Sequence, residues 1–206
     1  MRITRAICAG VLCLLLHGCA STDDEGPASY VVRPEDSLYS IAWRHNLDFR
    51  DLARWNGIGT DFHISVGEVL VLGSRGPRGP RPKADAAQPW MWPTDRQGQP
   101  RPAAGGGILL SGHLGQAVRA ASSGRVVYTG SGLRGYGNLI IIKHGESLLS
   151  AYAHNREILV HEGEDVAIGQ AIARMGEAES GSAVLYFEIR QNGRPVDPLR
   201  YLPKTN

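Results

Sequence analysis

The chain has 206 residues, with 22 lysines and arginines against 20 aspartates and glutamates. That near balance argues against nucleic acid or another strongly charged partner. Its three cysteines, Cys8, Cys13 and Cys19, all sit at the start, so no disulfide framework holds the remainder together.

Arg2 and Arg5 are followed by an apolar run over residues 6–16 and small residues around Gly18, the charge–apolar–small order of a secretory signal. The run is too short for a permanent membrane-crossing helix. Residues 1–18 are expected to be removed, which leaves 20 basic and 20 acidic residues and a formally neutral mature chain. Leu16-His17-Gly18-Cys19 resembles the lipobox of bacterial lipoproteins. The resemblance implies that Cys19 becomes the N-terminus and carries several acyl chains, each buried methylene contributing about 0.8 kcal/mol to membrane anchoring. Ala20 after the cysteine, in place of aspartate, implies the outer membrane.

Residues 19–28 read as a lipidated spacer. Residues 29–73 then show a β-branched run at Tyr30-Val31-Val32, two short helical patterns, and an apolar run over residues 69–72. Leu38, Ile41, Ala42 and His45 fall at i, i+3, i+4 and i+7 behind the candidate N-caps Asp36 and Ser37. Phe49, Leu52 and Ala53 repeat the spacing behind Asp48, and Asn56-Gly57 ends the second helix. This strand-helix-helix-strand order, with Leu52-Ala53-Arg54-Trp55-Asn56-Gly57-Ile58 at its centre and Val66-Gly67-Glu68-Val69-Leu70 closing it, resembles a LysM domain. The family binds N-acetylglucosamine-containing glycan of peptidoglycan or chitin in a groove between two loops, here residues 34–38 and 56–60. Asp36, Ser37, Asn56, Gly57 and Ile58 are the implied glycan contacts, Asn56 serving equally well as a helix C-cap.

Residues 74–89 are rich in proline, glycine and arginine, and Pro77, Pro80 and Pro82 favour an extended linker. From Trp90 the pattern changes to short β-rich runs with glycine turns, at residues 117–121, 124–129, 138–144, 147–154, 171–175 and 184–190. Asn192-Gly193 fits a two-residue hairpin turn. Leu139-Ile140-Ile141-Ile142 is continuously apolar, as expected of a strand buried on both faces. Gly130-Ser131-Gly132 reads as a hairpin loop, since no helix follows to present its N-terminus to a phosphate.

Residues 90–206 resemble a LytM-type, lysostaphin-like domain, and specifically the NlpD-like murein hydrolase activators. Gly115-Gln116-Ala117-Val118, Leu133-Arg134-Gly135-Tyr136-Gly137-Asn138, Ser150-Ala151-Tyr152-Ala153-His154 and Phe187-Glu188-Ile189-Arg190 carry the likeness. The expected fold is therefore multidomain, a small α+β LysM module followed by an all-β domain of the duplicated hybrid motif. Active members hold zinc with two histidines and an aspartate, leaving a fourth position for water. Matching the motifs places Gly105 and Leu109 at the first two ligand positions and Tyr186 at the third, while Val184 replaces one catalytic histidine and His154 retains the other. No catalytic residue, metal or cofactor is expected on this reading.

The resemblance implies that the domain activates a periplasmic zinc-dependent N-acetylmuramoyl-L-alanine amidase during septal wall splitting and daughter-cell separation. Gly105, Leu109, His154, Val184 and Tyr186 would then line the partner groove, a strip made less polar by the loss of metal ligands. Two rival readings remain at this level, a passive tether between outer membrane and wall, and a zinc endopeptidase with a rearranged site.

Overall fold

The computed structural model describes residues 28–73, 88–95, 97–178 and 181–204. The expected signal segment, Cys19 and residues 74–87 of the expected linker lie outside the described residues.

The first unit is built on β1 (Ser29–Val31) and β2 (Val69–Val71), antiparallel with Tyr30 opposite Leu70. Helices α1 (Leu38–Arg44) and α2 (Phe49–Trp55) lie between them in sequence. Ser37 starts α1 through a reciprocal cap, its hydroxyl accepting from Ser40 N at 3.1 Å while Ser40 Oγ accepts from Ser37 N at 3.0 Å. Asp48 caps α2 by accepting from Arg50 N at 2.9 Å. The predicted stripe of Leu38, Ile41, Ala42, Phe49 and Leu52 is buried with Leu70.

The second unit is a sheet of ten strands: β3 (Arg101–Pro102), β4 (Ile108–Ser111), β5 (Ala117–Arg119), β6 (Gly124–Gly130), β7 (Asn138–His144), β8 (Leu148–Ile158), β9 (Asp165–Val166), β10 (Ala171–Met175), β11 (Val184–Gln191) and β12 (Arg194–Val196). The main path runs β3-β4-β11-β8-β7-β6-β9, with β10 joining β5 to the far part of β8 and β12 on β11. All pairings are antiparallel. β3, β4, β9 and β12 were not expected from the sequence, because two to four residues carry too little alternation to register. Gly130 ends β6 and Ser131-Gly132 opens the connection to β7, and Asn192-Gly193 joins β11 to β12 with φ of +50° and +75°.

Alternation along the long strands separates two apolar faces. Ile140, Ile142, Tyr152, Phe187 and Ile189 point to one side, where Val118, Ile172 and Met175 of β5 and β10 close the core. Leu139, Ile141, Leu149, Ala151 and Ala153 point to the other, where they share a cluster with Trp43, Phe49 and Leu52 of the first unit. The run from Leu139 to Ile142 is therefore dry on both faces, the second being covered by the helical unit.

Polar contacts frame that cover. Arg190 Nη1 donates to Trp43 O at 2.8 Å, and its guanidinium stacks 3.7 Å from the Trp43 ring centre. Arg50 donates to Glu146 O and Asn192 Oδ1, both at 2.6 Å. Ser37 Oγ donates to Val127 O at 3.2 Å. A Cβ at Gly193 would lie 2.5 Å from the backbone of Leu47 and Asp48, so the hairpin glycine serves the turn and the close approach of the units together.

Candidate functional site

The positions expected to correspond to metal ligands converge although they are distant in sequence. Leu109 on β4 is opposite Tyr186 on β11, which is in turn opposite Ala153 on β8. His154 follows, its ring centre 6.2 Å from that of Tyr186. Gly105 sits in a 3-10 turn, Ala104–Gly106, where a Cβ would stand 3.3 Å from the Tyr186 hydroxyl. His154 is held at φ +63°, a region few non-glycine residues enter. Gly176 crosses behind it, so close that a Cβ would reach His154 O at 2.6 Å.

These residues do not fit a zinc ion. Gly105 and Leu109 offer no side-chain donor. The Tyr186 hydroxyl donates to Glu188 Oε2 at 2.6 Å, and burial, reinforced by the Glu188 charge, pushes it far above the ordinary phenol range. Turning this phenol to a metal would take its hydrogen bond from the buried Glu188 carboxylate. Among the described residues no three histidine, cysteine, aspartate or glutamate side chains are placed to hold a metal.

Tyr186 instead begins a buried chain across the sheet face. Glu188 Oε1 accepts from Arg190 Nε at 2.6 Å, and Arg190 continues to Trp43. Glu188 and Arg190 are 0% and 3% exposed, so their charges are satisfied almost wholly by one another and by these partners. Residues 186, 188 and 190 share a face by strand alternation. Two opposite charges at alternate positions, Glu188 and Arg190, in a largely apolar strand are the sequence signal for this network.

Residues 104–198 match Peptidase family M23, and residues 30–73 match the LysM domain. The lipoprotein NlpD/LppB homolog of Pseudomonas aeruginosa is 37% identical over 267 residues, covering 94% of this chain and 90% of that protein. The chain belongs to the NlpD/LppB lipoprotein family. A murein hydrolase activator NlpD from Salmonella dublin is 34% identical over 87% of this chain and 69% of its own length. Helicobacter pylori Csd3 has a crystal structure that superposes with a TM-score of 0.50 at 29% identity, covering 58% of this chain and 34% of that one. The helical unit is thus a LysM module and the sheet unit a peptidase-like domain.

Two clefts run between them. One, of about 640 Å³, lies beside Gly105 and is bordered by Arg33, Trp43, Tyr136 and Arg190. The other, of about 490 Å³, is bordered by residues 36–39 and 60–64 of the LysM module and by β6 and β7. The expected glycan residues are only partly brought together. Asp36 and Ser37 border the smaller cleft, whereas Asn56, Gly57 and Ile58 line neither. Asn56 is engaged internally, donating to Leu52 O at 2.8 Å and Val71 O at 3.0 Å and accepting from Val71 N at 2.7 Å. It pins the end of α2 to β2, and the second wall of the cleft falls to residues 60–64 instead.

The expected partner groove needs a similar correction. Val184 and Tyr186 are 1% and 7% exposed and cannot serve as contact surface in this arrangement. Gly105 is exposed, and Leu109 and His154 are half-buried. Tyr136, part of the motif that carries the family likeness, packs edge-on to Tyr186 at 5.5 Å and borders the larger cleft.

Proposed function

We propose that the protein is an outer-membrane lipoprotein that binds peptidoglycan through its LysM module and activates a periplasmic zinc-dependent N-acetylmuramoyl-L-alanine amidase at the septum, without catalysis of its own. The observation that carries this reading is that Tyr186, at one of the expected ligand positions, is committed to Glu188, while Gly105 and Leu109 at the other two offer no side-chain donor. The domain keeps its fold while its donors are unsuited to a metal. The name of the Salmonella dublin relative supports a role in activating a murein hydrolase. The lipobox at Cys19 and the family's lipoprotein names support the anchor.

An activator acts by binding the open form of its partner better than the closed form, and that difference limits the activation. The exposed rim at Gly105, with the half-buried Leu109 and His154, is the proposed contact, and Tyr186 supports it from beneath. Release of dye from labelled sacculi tests the reading, using the intact chain alone and with a periplasmic amidase. Silence alone and stimulation of the amidase is the expected result. Release by the chain alone, abolished by a chelator, would make it an enzyme, and silence in both would leave a wall tether.

A further inference from the structure

We propose that the smaller interdomain cleft is a two-domain glycan site, in which Arg125 and Lys143 of the peptidase-like domain bind the carboxylates that distinguish peptidoglycan glycan from a neutral amino-sugar polymer. This rests on the reading of the LysM module as the glycan binder, and adds to it a second wall and a specificity. The cleft volume of about 490 Å³ is in the range of small-molecule sites.

The lining has the chemistry of a sugar site. The LysM wall presents Tyr39 and Phe62, whose rings pack edge to face at 5.6 Å, offering apolar faces to pyranose C–H groups. Phe62 is held at φ +53°, a backbone region that bulky residues rarely adopt. The facing wall presents Arg125, Lys143 and Glu162. The Ser37–Val127 hydrogen bond ties the expected glycan loop to that wall, so a ligand reaching the loop meets both domains.

The cations are available to an anion. Arg125 is paired with Asp165 at 3.6 Å, both side chains being more than half exposed, and Lys143 with Glu146 at 3.7 Å. The exposed Arg125–Asp165 pair contributes little and exchanges readily, whereas Lys143 is mostly covered and its long contact is to a carboxylate that is itself well exposed. The acids of the cleft do not oppose a carboxylate equally. Asp36 is already engaged by Tyr30 Oη, Arg33 N and Arg44, at 2.8, 2.9 and 3.1 Å. Glu162 accepts from Thr129 N at 3.0 Å, and burial pushes its carboxyl above the usual range. Asp61 remains as an acceptor for sugar hydroxyls or acetamido N–H groups. Chitin-type glycan carries no carboxylate, whereas peptide-free peptidoglycan glycan carries a lactyl carboxylate on every muramic acid, which is the group the two cations select.

Calorimetric titration of the intact chain with two probes tests this, a peptide-free tetrasaccharide of alternating N-acetylglucosamine and N-acetylmuramic acid, and chitotetraose. The muramyl probe is expected to bind about tenfold more tightly, as two solvent-screened charge contacts imply. In the double variant Arg125→Gln, Lys143→Gln that preference disappears, while chitotetraose affinity stays within about twofold and reports an intact fold. Equal affinity of the wild type for the two probes, or a double variant that keeps the preference or loses both ligands together, overturns the two-domain site. Binding of neither probe by the wild type overturns the glycan reading beneath it as well.

Discussion

The two faces of the central sheet are both dry, but they are closed by different kinds of surface. The inner face meets β5 and β10 of its own domain, and Val118, Ile140, Phe187 and Met175 are joined there by apolar contact. The outer face meets another module, and its cover is fastened at Arg190, Arg50 and Ser37 by hydrogen bonds. Trp43 Nε1 at this contact is buried with no hydrogen-bond partner among the described residues. An apolar face is held by the area it removes from water, whereas a face fastened by buried polar groups depends on every one of them finding a partner. The difference teaches that the inner face maintains the fold, while the outer face sets how the two modules are disposed about the clefts.

The largest effect should come from the inner face. Phe187→Ala is expected to cost about 3–5 kcal/mol in a urea titration, by loss of a fully buried ring and creation of a cavity. Arg190→Ala is expected to cost about 3 kcal/mol or more, because it leaves Glu188 buried without its cation. The comparison sharpens if Arg190→Met with Glu188→Gln regains most of that loss, since neither change then strands a charge. A single Arg190→Ala variant as stable as wild type would show that the outer face is not fastened in this way.

Alkaline pH probes the inner face at Tyr152. Burial pushes this fully buried hydroxyl from 10.0 up to about 12, where it also accepts from Ala121 N at 2.9 Å. The folded value lies above the unfolded one, so the contribution is complete below pH 10 and is lost as the pH rises through 12. The denaturation midpoint should therefore hold to about pH 10 and then fall, with a shallower fall in Tyr152→Phe. The smallest effect is at Ser37→Ala, about 1 kcal/mol from loss of the α1 cap. If that variant also raises protease sensitivity between the modules, the Val127 bond helps to fasten the outer face.

Much of the fold was legible in local pattern. The Asp48 cap, the cap of α1 narrowed to Asp36 or Ser37, the Asn192-Gly193 turn and the double burial of residues 139–142 follow from hydrogen-bonding chemistry, positive φ and hydrophobic periodicity, all of which act over a few residues. The strands at 101–102, 108–111, 165–166 and 194–196 were not legible, because their pairing partners rather than their own composition make them strands. At the site, the likeness of motifs brought Gly105, Leu109, His154, Val184 and Tyr186 into one group, yet said nothing of which reach solvent. The same limit applied to Asn56, whose amide satisfies a helix end and a strand edge at once.

What the sequence determined by itself was chemical identity: glycine, leucine and tyrosine at the positions the resemblance expects to hold ligands, and an apolar strand that needs cover on two sides. Only the tertiary structure decided what supplies the second cover, that Tyr186 turns inward to Glu188, and that Arg190 reaches Trp43 across 147 residues of chain. Side-chain type is a local property, readable at each position. Burial and partnership depend on elements brought together by folding, and the energy of a charged or polar group depends on those neighbours more than on its own identity.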